Sequence, residues 1–222
     1  MNPSRATRFD FDAAGNRTSV VTTNAGGQST NSYTANNLNQ YTNVGGTNLA
    51  YDLNGNVTND ASGWTYTYDR DNRLTKAVNG TNTILYTYDV FNRLIKRAKG
   101  TNETRFYYAG WQLIEERDQN DTVVAKYVYG AGIDEPIKAQ MADYSHGWFY
   151  YHADVQGNVT ELTREDGSFL NSNTYDVYGK ATTTPQDVDD VLFYSSNRLL
   201  FQGRDRDPDT GLYNFRNRYY SP

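Results

Sequence analysis

Two copies of one twelve-residue phrase decide the fold of this chain. Tyr66–Ala77 reads YTYDRDNRLTKA and Tyr86–Arg97 reads YTYDVFNRLIKR; eight of the twelve positions are identical, and the offset is 20 residues. Self-similarity at a short, fixed period is typical of proteins that stack one supersecondary unit many times. The repeated unit itself therefore predicts the architecture.

Further copies share a template: an aromatic residue, Asp, two variable residues, Gly or Asn, Asn or Arg, then an apolar residue or Thr. The copies start at Phe11, Tyr51, Tyr68, Tyr88, His152 and Tyr175. Degenerate copies begin at Tyr33 and Tyr107. We predict structural roles for the clearest motif residues, which are Tyr51, Asp52, Tyr68, Asp69, Tyr88, Asp89, Tyr175 and Asp176.

Each unit predicts a β-hairpin. In Thr65–Tyr68 the side chains alternate, so both tyrosines share one face of a strand. Asp69–Asn72 then predicts a turn, because an Asp carboxylate accepts local backbone N–H groups. On the return strand, strict alternation places Leu74, Lys76 and Val78 on one face.

Stacked hairpins predict an all-β fold. One hairpin cannot bury its own apolar face, whereas neighbouring hairpins can cover one another. Because sheets twist, we expect a long antiparallel sheet that curls into a spiral. No segment predicts a convincing helix. Asp187–Leu200 is the best candidate for a helical turn, and the preceding TTTPQDVDD stretch, 182–190, predicts a loop.

Composition favours an ordered β protein over a disordered one. The mean hydropathy of −0.82 is polar, but disorder requires few aromatic residues, and this chain has 20 Tyr, 9 Phe and 3 Trp. The net charge of −5 argues against a nucleic-acid or anionic-membrane surface. The sequence shows no cysteine, no apolar signal-peptide core and no apolar stretch of membrane-spanning length.

The tyrosine–Asp repeats resemble the YD-repeat, or Rhs (rearrangement hotspot), family. The segments Tyr150–Lys180 and Phe201–Pro222 are similar to the late core of that family, and the second match is the more specific. We predict structural roles for its core-motif residues, which are Gly203, Arg204, Asp207, Pro208, Gly211, Leu212, Arg216, Tyr219 and Tyr220.

The resemblance implies a function of enclosure. In such proteins the hairpins form an Rhs-type β-shell around a variable C-terminal polypeptide, often a toxin, which is delivered to other cells. The core plugs one end and often performs aspartyl self-cleavage. Relatives occur in insecticidal toxin complexes and in adhesion proteins. The implied partners are the rest of the shell and the enclosed toxin, and the implied location is secreted or cell-surface, within a larger bacterial protein.

The resemblance and the spacing together predict three parts. Residues 1–46 are degenerate N-terminal repeats with less order, 47–180 are YD-type hairpin repeats, and 181–222 are a truncated core-like segment. The family's cleavage motif and cargo normally follow this point, so we expect a shell wall without plug, cleavage site or cargo. No enzymatic activity and no cofactor is predicted.

An aspartyl autoprotease is one alternative. Asp207–Leu212 superficially resembles a cleavage motif, and Asp205, Asp207 and Asp209 lie in one short loop. Acid–base work requires two converging carboxyl groups, one with a raised pKa. The favoured interpretation is a structural turn, in which Pro fixes φ, Asp caps the turn and Gly adopts positive φ.

An extracellular sugar-binding or cell-surface adhesion module is the first alternative function, ahead of the autoprotease, and a metal site is a weaker alternative. His152 and Asp154 have matching strand parity, but a third ligand is missing unless His146 supplies it; no metal site is predicted. Exposed tyrosine rows, such as Tyr66 and Tyr86, could stack on glycans, although cross-strand pairing is the commoner role. Open sheet edges also predict self-association.

Overall fold

The computed structural model describes residues 6–144, 147–185 and 197–222. Within these residues the only helical element is a 3₁₀ turn at Phe201–Gly203, and antiparallel strands form the rest of the regular structure. The predicted all-β fold of repeated antiparallel hairpins is confirmed. The chain divides into two compact units, Met1–Asn72 with Lys76–Asn82, and Arg73–Thr75 with Thr83–Pro222.

The first unit contains a five-stranded antiparallel sheet with its strands in chain order. These strands are β1 (Ala6–Phe11), β2 (Arg17–Asn24), β3 (Gly27–Ala35), β4 (Tyr41–Val44) and β5 (Thr47–Asn48). Three further strands also pair in chain order, and they are β6 (Ala50–Tyr51), β7 (Val57–Asn59) and β8 (Thr65–Tyr68). Strand β9 (Leu74–Asn79) has residues in both units.

Ten strands pair antiparallel in chain order along the second unit. They are β10 (Asn82–Tyr88), β11 (Leu94–Lys99), β12 (Asn102–Ala109), β13 (Gln112–Asp118), β14 (Val123–Tyr129), β15 (Pro136–Met141), β16 (Phe149–Ala153), β17 (Val159–Arg164), β18 (Phe169–Tyr175) and β19 (Ala181–Pro185). A short hairpin of β20 (Tyr213–Asn214) and β21 (Tyr219–Tyr220) follows.

Two local predictions need correction around β19. The loop predicted over 182–190 is wrong at its start, because Thr182 to Pro185 pair with β18; its remainder lies outside the described residues. The helical turn predicted over 187–200 falls outside them up to residue 196, and no helix covers 197–200. Threonine is enriched in β-strands, which explains why this threonine-rich stretch forms β19 beside β18.

The motif aspartates close the repeat turns. The Asp52 Oδ1 atom accepts the backbone N–H groups of Asn54 and Asn56, both at 2.9 Å, while Gly55 N–H donates to the Asp52 carbonyl at 3.1 Å. The same two carboxylate bonds recur at Asp12, Asp89, Asp118, Asp154 and Asp176. Hydrogen bonds from Asn56 hold the pKa of Asp52 below its usual value. Each Asp carboxylate thus accepts N–H groups of the turn that have no backbone carbonyl as acceptor.

Three of the motif tyrosines tie their hairpins to an earlier strand. The Tyr88 hydroxyl donates to the Leu74 carbonyl at 2.8 Å, and the Tyr175 hydroxyl donates to the Val159 carbonyl at 2.6 Å. Tyr51 makes the equivalent bond to the Tyr41 carbonyl at 2.9 Å. The Tyr–Asp dipeptide therefore combines a tie between strands with a local turn cap.

A β-bulge follows the turn in the second copy of the phrase. Thr87 pairs with Lys96, but Tyr88 pairs with Leu94, so one residue of β11 is unmatched. In the first copy, Leu74 and Ala77 are fully buried, whereas Lys76 is exposed. The predicted common face of Leu74, Lys76 and Val78 is therefore wrong; a bulge like the one in the second copy switches the phase of the faces of a strand.

The predicted tyrosine rows are not exposed platforms. Tyr66 and Tyr86 retain only 6% and 4% of their accessible surface. The Tyr66 hydroxyl donates to the Asp60 carboxylate. Burial removes the faces of these two rings from any glycan, so the tyrosines contribute to the core, as cross-strand aromatic residues commonly do.

Tyr175→Phe should lower the free energy of unfolding by about 0.5–1.5 kcal/mol, because it deletes one half-buried hydroxyl hydrogen bond and retains the ring. Urea denaturation followed by tyrosine fluorescence measures this change. The matched control is Tyr107→Phe, since Tyr107 is 40% exposed. Equal midpoints for the two variants would contradict a stabilising tie.

Candidate functional site

The C-terminal segment, defined as residues 197–222, packs on one face of the sheet of the second unit. Tyr86 and Arg97 are register partners on β10 and β11, and both contact Asp207 of the segment. Farther along the sheet, the Tyr151 hydroxyl donates to Asn197 Oδ1 at 2.9 Å. The contacts of this segment form the candidate functional site.

The first ionic contact holds the Asp207 turn on the sheet. Arg97 Nε lies 2.7 Å from Asp207 Oδ2, with the two side chains 11% and 5% exposed. The Tyr86 hydroxyl donates to the same oxygen at 2.9 Å. Asp209 pairs with Arg97 and with Lys99. Although burial opposes ionisation, the Arg97 guanidinium and the other donors hold the pKa of Asp207 below its usual value.

The second ionic contact lies deeper. Arg198 Nη2 is 2.7 Å from Glu116 Oε1, and Arg198 Nε is 3.0 Å from Asp205 Oδ1. The Tyr127 hydroxyl donates to Glu116 Oε1 at 2.6 Å. Both Arg198 and Glu116 are buried, so the Glu116 charge depends on Arg198 for compensation, while Arg198 is compensated by Glu116 and Asp205.

The third contact holds the 3₁₀ turn against the loop between β14 and β15. Arg204 and Arg216 each place an Nη2 atom 2.8 Å from the Asp134 carboxylate. Gly203 has φ of +64°, and a Cβ there would lie 2.2 Å from the Asp134 carbonyl oxygen. Only glycine allows this approach of the two backbones.

The remaining core-motif residues surround these contacts. Pro208 is exposed and Leu212 is buried. Gly211 has φ of +75°, and its N–H donates to the Asp207 carbonyl at 2.9 Å. The Tyr219 hydroxyl lies 3.2 Å from that of Tyr88, and the Tyr220 hydroxyl donates to the Tyr178 carbonyl at 2.6 Å.

The geometry gives Asp207 the role of a turn cap. Its Oδ1 atom accepts the backbone N–H groups of Asp209 and Thr210 at 3.0 and 2.9 Å, while Arg97 and Tyr86 occupy Oδ2. A carboxylate held ionised by donors from four residues is a poor proton donor. Burial does raise the pKa of the neighbouring Asp205 carboxyl to about 6. No reaction is assigned to this group.

The candidate metal pair is engaged elsewhere. His152 Nε2 lies 2.9 Å from Thr163 Oγ1, and Asp154 accepts the backbone N–H and the side-chain Nδ2 of Asn158 at 3.0 and 2.8 Å. His146 lies outside the described residues. Throughout 6–144, 147–185 and 197–222, no group of three or more His, Cys, Asp or Glu side chains forms a candidate metal centre.

Sequence reasoning did not identify Arg97, Glu116 or Arg198 as functional residues. One signal was present: the doubled phrase ends in Ala77 in one copy and Arg97 in the other. Ala77 is fully buried, so a charged residue at the corresponding position requires a buried partner. The sequence did not show that Asp207, 110 residues away, is that partner.

The repeated hairpins prompted a comparison of this chain with known protein families. A model described as the Teneurin YD-shell matches residues 1–222. The chain belongs to the Teneurin YD-shell family. This YD-shell chain is 31% identical over 221 residues to the tRNA3(Ser)-specific nuclease WapA of Bacillus spizizenii. It is 30% identical over 220 residues to the tRNA nuclease WapA of Bacillus subtilis. Each match covers 96% of this chain and 9% of the relative.

Solved structures share the fold of the YD-shell chain. A crystal structure of TcdB2-TccC3-TEV superimposes with a TM-score of 0.77 at 15% identity, covering 98% of this chain and 12% of that one. The Tc holotoxin pore of Photorhabdus luminescens gives 0.71 at 16% identity, covering 97% and 11%. The chain therefore spans about a tenth of the length of these proteins. No helix among the described residues has the length and apolarity needed to cross a bilayer.

The Asp205 carboxyl predicts a pH dependence. Burial raises the pKa of this carboxyl from its ordinary value of 3.8 to about 6 in the folded chain, so its contribution to stability is complete below pH 4 and is lost as pH rises through 6. Asp205→Asn should therefore stabilise the chain relative to wild type at pH 8 more than at pH 4.5. Thermal melts at both values measure the difference. A pH-independent difference would contradict the raised pKa.

Proposed function

We propose that this YD-shell chain is a non-catalytic wall segment of a secreted or cell-surface shell that encloses a polypeptide. The observation that supports the proposal is the set of ion pairs that hold the C-terminal segment on the hairpin sheet. Arg97 and Arg198 join the segment to strands far away in the sequence. Buried, hydrogen-bonded charge pairs fix one arrangement of a wall, and breaking one partner is costly.

The carboxyl groups support a structural role over self-cleavage. Asp207, the best candidate for cleavage chemistry, has its carboxylate engaged by Arg97, Tyr86 and two backbone N–H groups. Purified chain should therefore keep a constant intact mass at pH 5 to 8, with wild type and Asp207→Asn giving the same single species. A wild-type fragment that Asp207→Asn abolishes would establish the autoprotease instead.

Enclosure has its own test in the gene product that contains this segment. A polypeptide inside a closed shell should resist added protease until the shell is denatured, because cleavage requires the protease to reach an extended chain. Western blotting of tags placed before and after the YD region measures protection. Degradation of the enclosed polypeptide at the rate of an unfolded control, with the wall intact, would refute enclosure.

The three-part division of the chain at residues 46 and 180 stays a prediction. So do self-association through sheet edges and secretion. The glycan-binding alternative based on Tyr66 and Tyr86 loses its main support, because both rings are buried.

A further inference from the structure

A polar cavity of about 130 Å³ lies between the C-terminal segment and strands β18 and β19. On this measure one water molecule needs roughly 10–15 Å³, so the space admits a ligand of a few heavy atoms, such as a tetrahedral oxyanion. The polar residues of its described lining are Asn171, Asn173, Thr183, Asn197, Arg198 and Arg206. The enclosing wall proposed above does not require such a cavity.

One buried acceptor of the lining has no partner. Asn171 lies on β18 and is only 1% exposed, and its Oδ1 atom makes no hydrogen bond among the described residues. Most buried side-chain polar atoms in folded proteins have at least one hydrogen-bond partner, so each exception requires an explanation. A ligand that donates a hydrogen bond at this position provides one.

The other asparagines of the lining are held in place by hydrogen bonds. Asn173 Nδ2 donates to the Val159 carbonyl at 3.1 Å, and the Thr183 hydroxyl donates to Asn173 Oδ1 at 2.6 Å. On the C-terminal segment, Asn197 Oδ1 accepts the Tyr151 hydroxyl at 2.9 Å. This bond orients the amide and leaves the Asn197 Nδ2 group as a donor.

The cavity also carries an excess of positive charge. Arg198 is compensated by Glu116 and Asp205, whose carboxylates lie 2.7 and 3.0 Å from its guanidinium. Arg206 has no ion-pair partner among the described residues, and the described lining contains no Asp or Glu. An unpaired guanidinium attracts an anion, and its N–H groups form directional hydrogen bonds to the oxygens of phosphate or carboxylate groups.

These groups select an anion that both accepts and donates hydrogen bonds. Arg206 and the Asn197 Nδ2 group require an acceptor, whereas Asn171 Oδ1 requires a donor. Carboxylate and sulfate ions offer acceptors only. The protonated forms of inorganic phosphate carry acceptor oxygens together with at least one hydroxyl group, so they satisfy both requirements.

We propose that this cavity binds inorganic phosphate in its protonated forms. The phosphate oxygens accept hydrogen bonds from Arg206 and Asn197, and one P–OH group donates to Asn171 Oδ1. Because Asn171 belongs to β18 and the other two residues belong to the C-terminal segment, the ion bridges the sheet and the segment. A ligand bound only by the folded chain also stabilises the folded state.

The test is calorimetric titration of the full chain at pH 8 with three probes at equal ionic strength. Inorganic phosphate retains a hydroxyl group at this pH and sulfate has none. Phenyl phosphate, a monoester with a second pKa of about 6, is a dianion without a hydroxyl group. Phosphate should bind at least about tenfold more tightly than either of the others. Equal affinity for sulfate, equal affinity for phenyl phosphate, or no binding heat at about 10 mM phosphate would each overturn the proposal.

Variants locate the ion in the cavity. Arg206→Gln should weaken phosphate binding at least about tenfold. Arg218→Gln, which removes an exposed arginine of the same segment outside the described lining, should leave it unchanged. Asn171→Leu should abolish the preference for phosphate over sulfate. Thermal melts check that each variant is folded; if Asn171→Leu unfolds, the half-buried Arg206 position decides alone. Unchanged phosphate affinity in folded Arg206→Gln would reject the site.

Discussion

Arg198→Met should lower the free energy of unfolding by about 3–5 kcal/mol, which is the usual cost of removing one partner from a buried ion pair. Glu116, 6% exposed, would lose its guanidinium partner and keep only the Tyr127 hydroxyl at 2.6 Å. Urea denaturation, with the shift in midpoint at constant slope as the readout, measures the loss.

Two controls separate the charge from the side-chain volume. Arg105→Met removes an arginine that is 38% exposed and 3.4 Å from Glu103, so its effect should stay below about 1 kcal/mol. Arg198→Met combined with Glu116→Gln should recover part of the stability, since no uncompensated carboxylate remains at Glu116. If Arg198→Met and Arg105→Met cost the same, the pair is not a principal contact of the C-terminal segment.

Gly203→Ala should cost about 2–5 kcal/mol, the sum of left-handed strain and overpacking. The new Cβ would lie 2.2 Å from the Asp134 carbonyl oxygen, which is backbone and cannot rotate away. We expect the 3₁₀ turn to leave the loop between β14 and β15, with loss of the Arg204–Asp134 contact. Hydrogen exchange at Gly203 and Arg204, whose amides are hydrogen-bonded, reports this release.

Gly100→Ala is the matched control for Gly203→Ala. Gly100 has φ of +60°, but no atom lies within 4 Å of its ideal Cβ position. Its substitution should cost only the conformational strain, about 1–2 kcal/mol. Similar losses of stability for the two variants would show that the close approach to Asp134 contributes nothing to the cost of Gly203→Ala.

Local features of the repeat could be predicted because they depend on neighbours in the chain. The Asp52 cap reaches residues two and four positions ahead, which a sequence pattern can display. The phase of the return strand could not be predicted in this way. In β11 the bulge leaves one residue without a partner, so Arg97, and not Lys96, pairs with Tyr86. A slip of one residue exchanges the faces of a strand.

The sequence by itself determined the hairpin unit, its Asp-capped turns and the all-β class, because propensity, turn chemistry and side-chain alternation are short-range effects. Which charges meet depends on the three-dimensional arrangement of the strands. Arg97 and Asp207 are 110 residues apart, and Glu116 and Arg198 are 82 apart, so no local pattern pairs them. Their pairing follows from the order of stacked strands and from the high cost of leaving a buried charge without a partner.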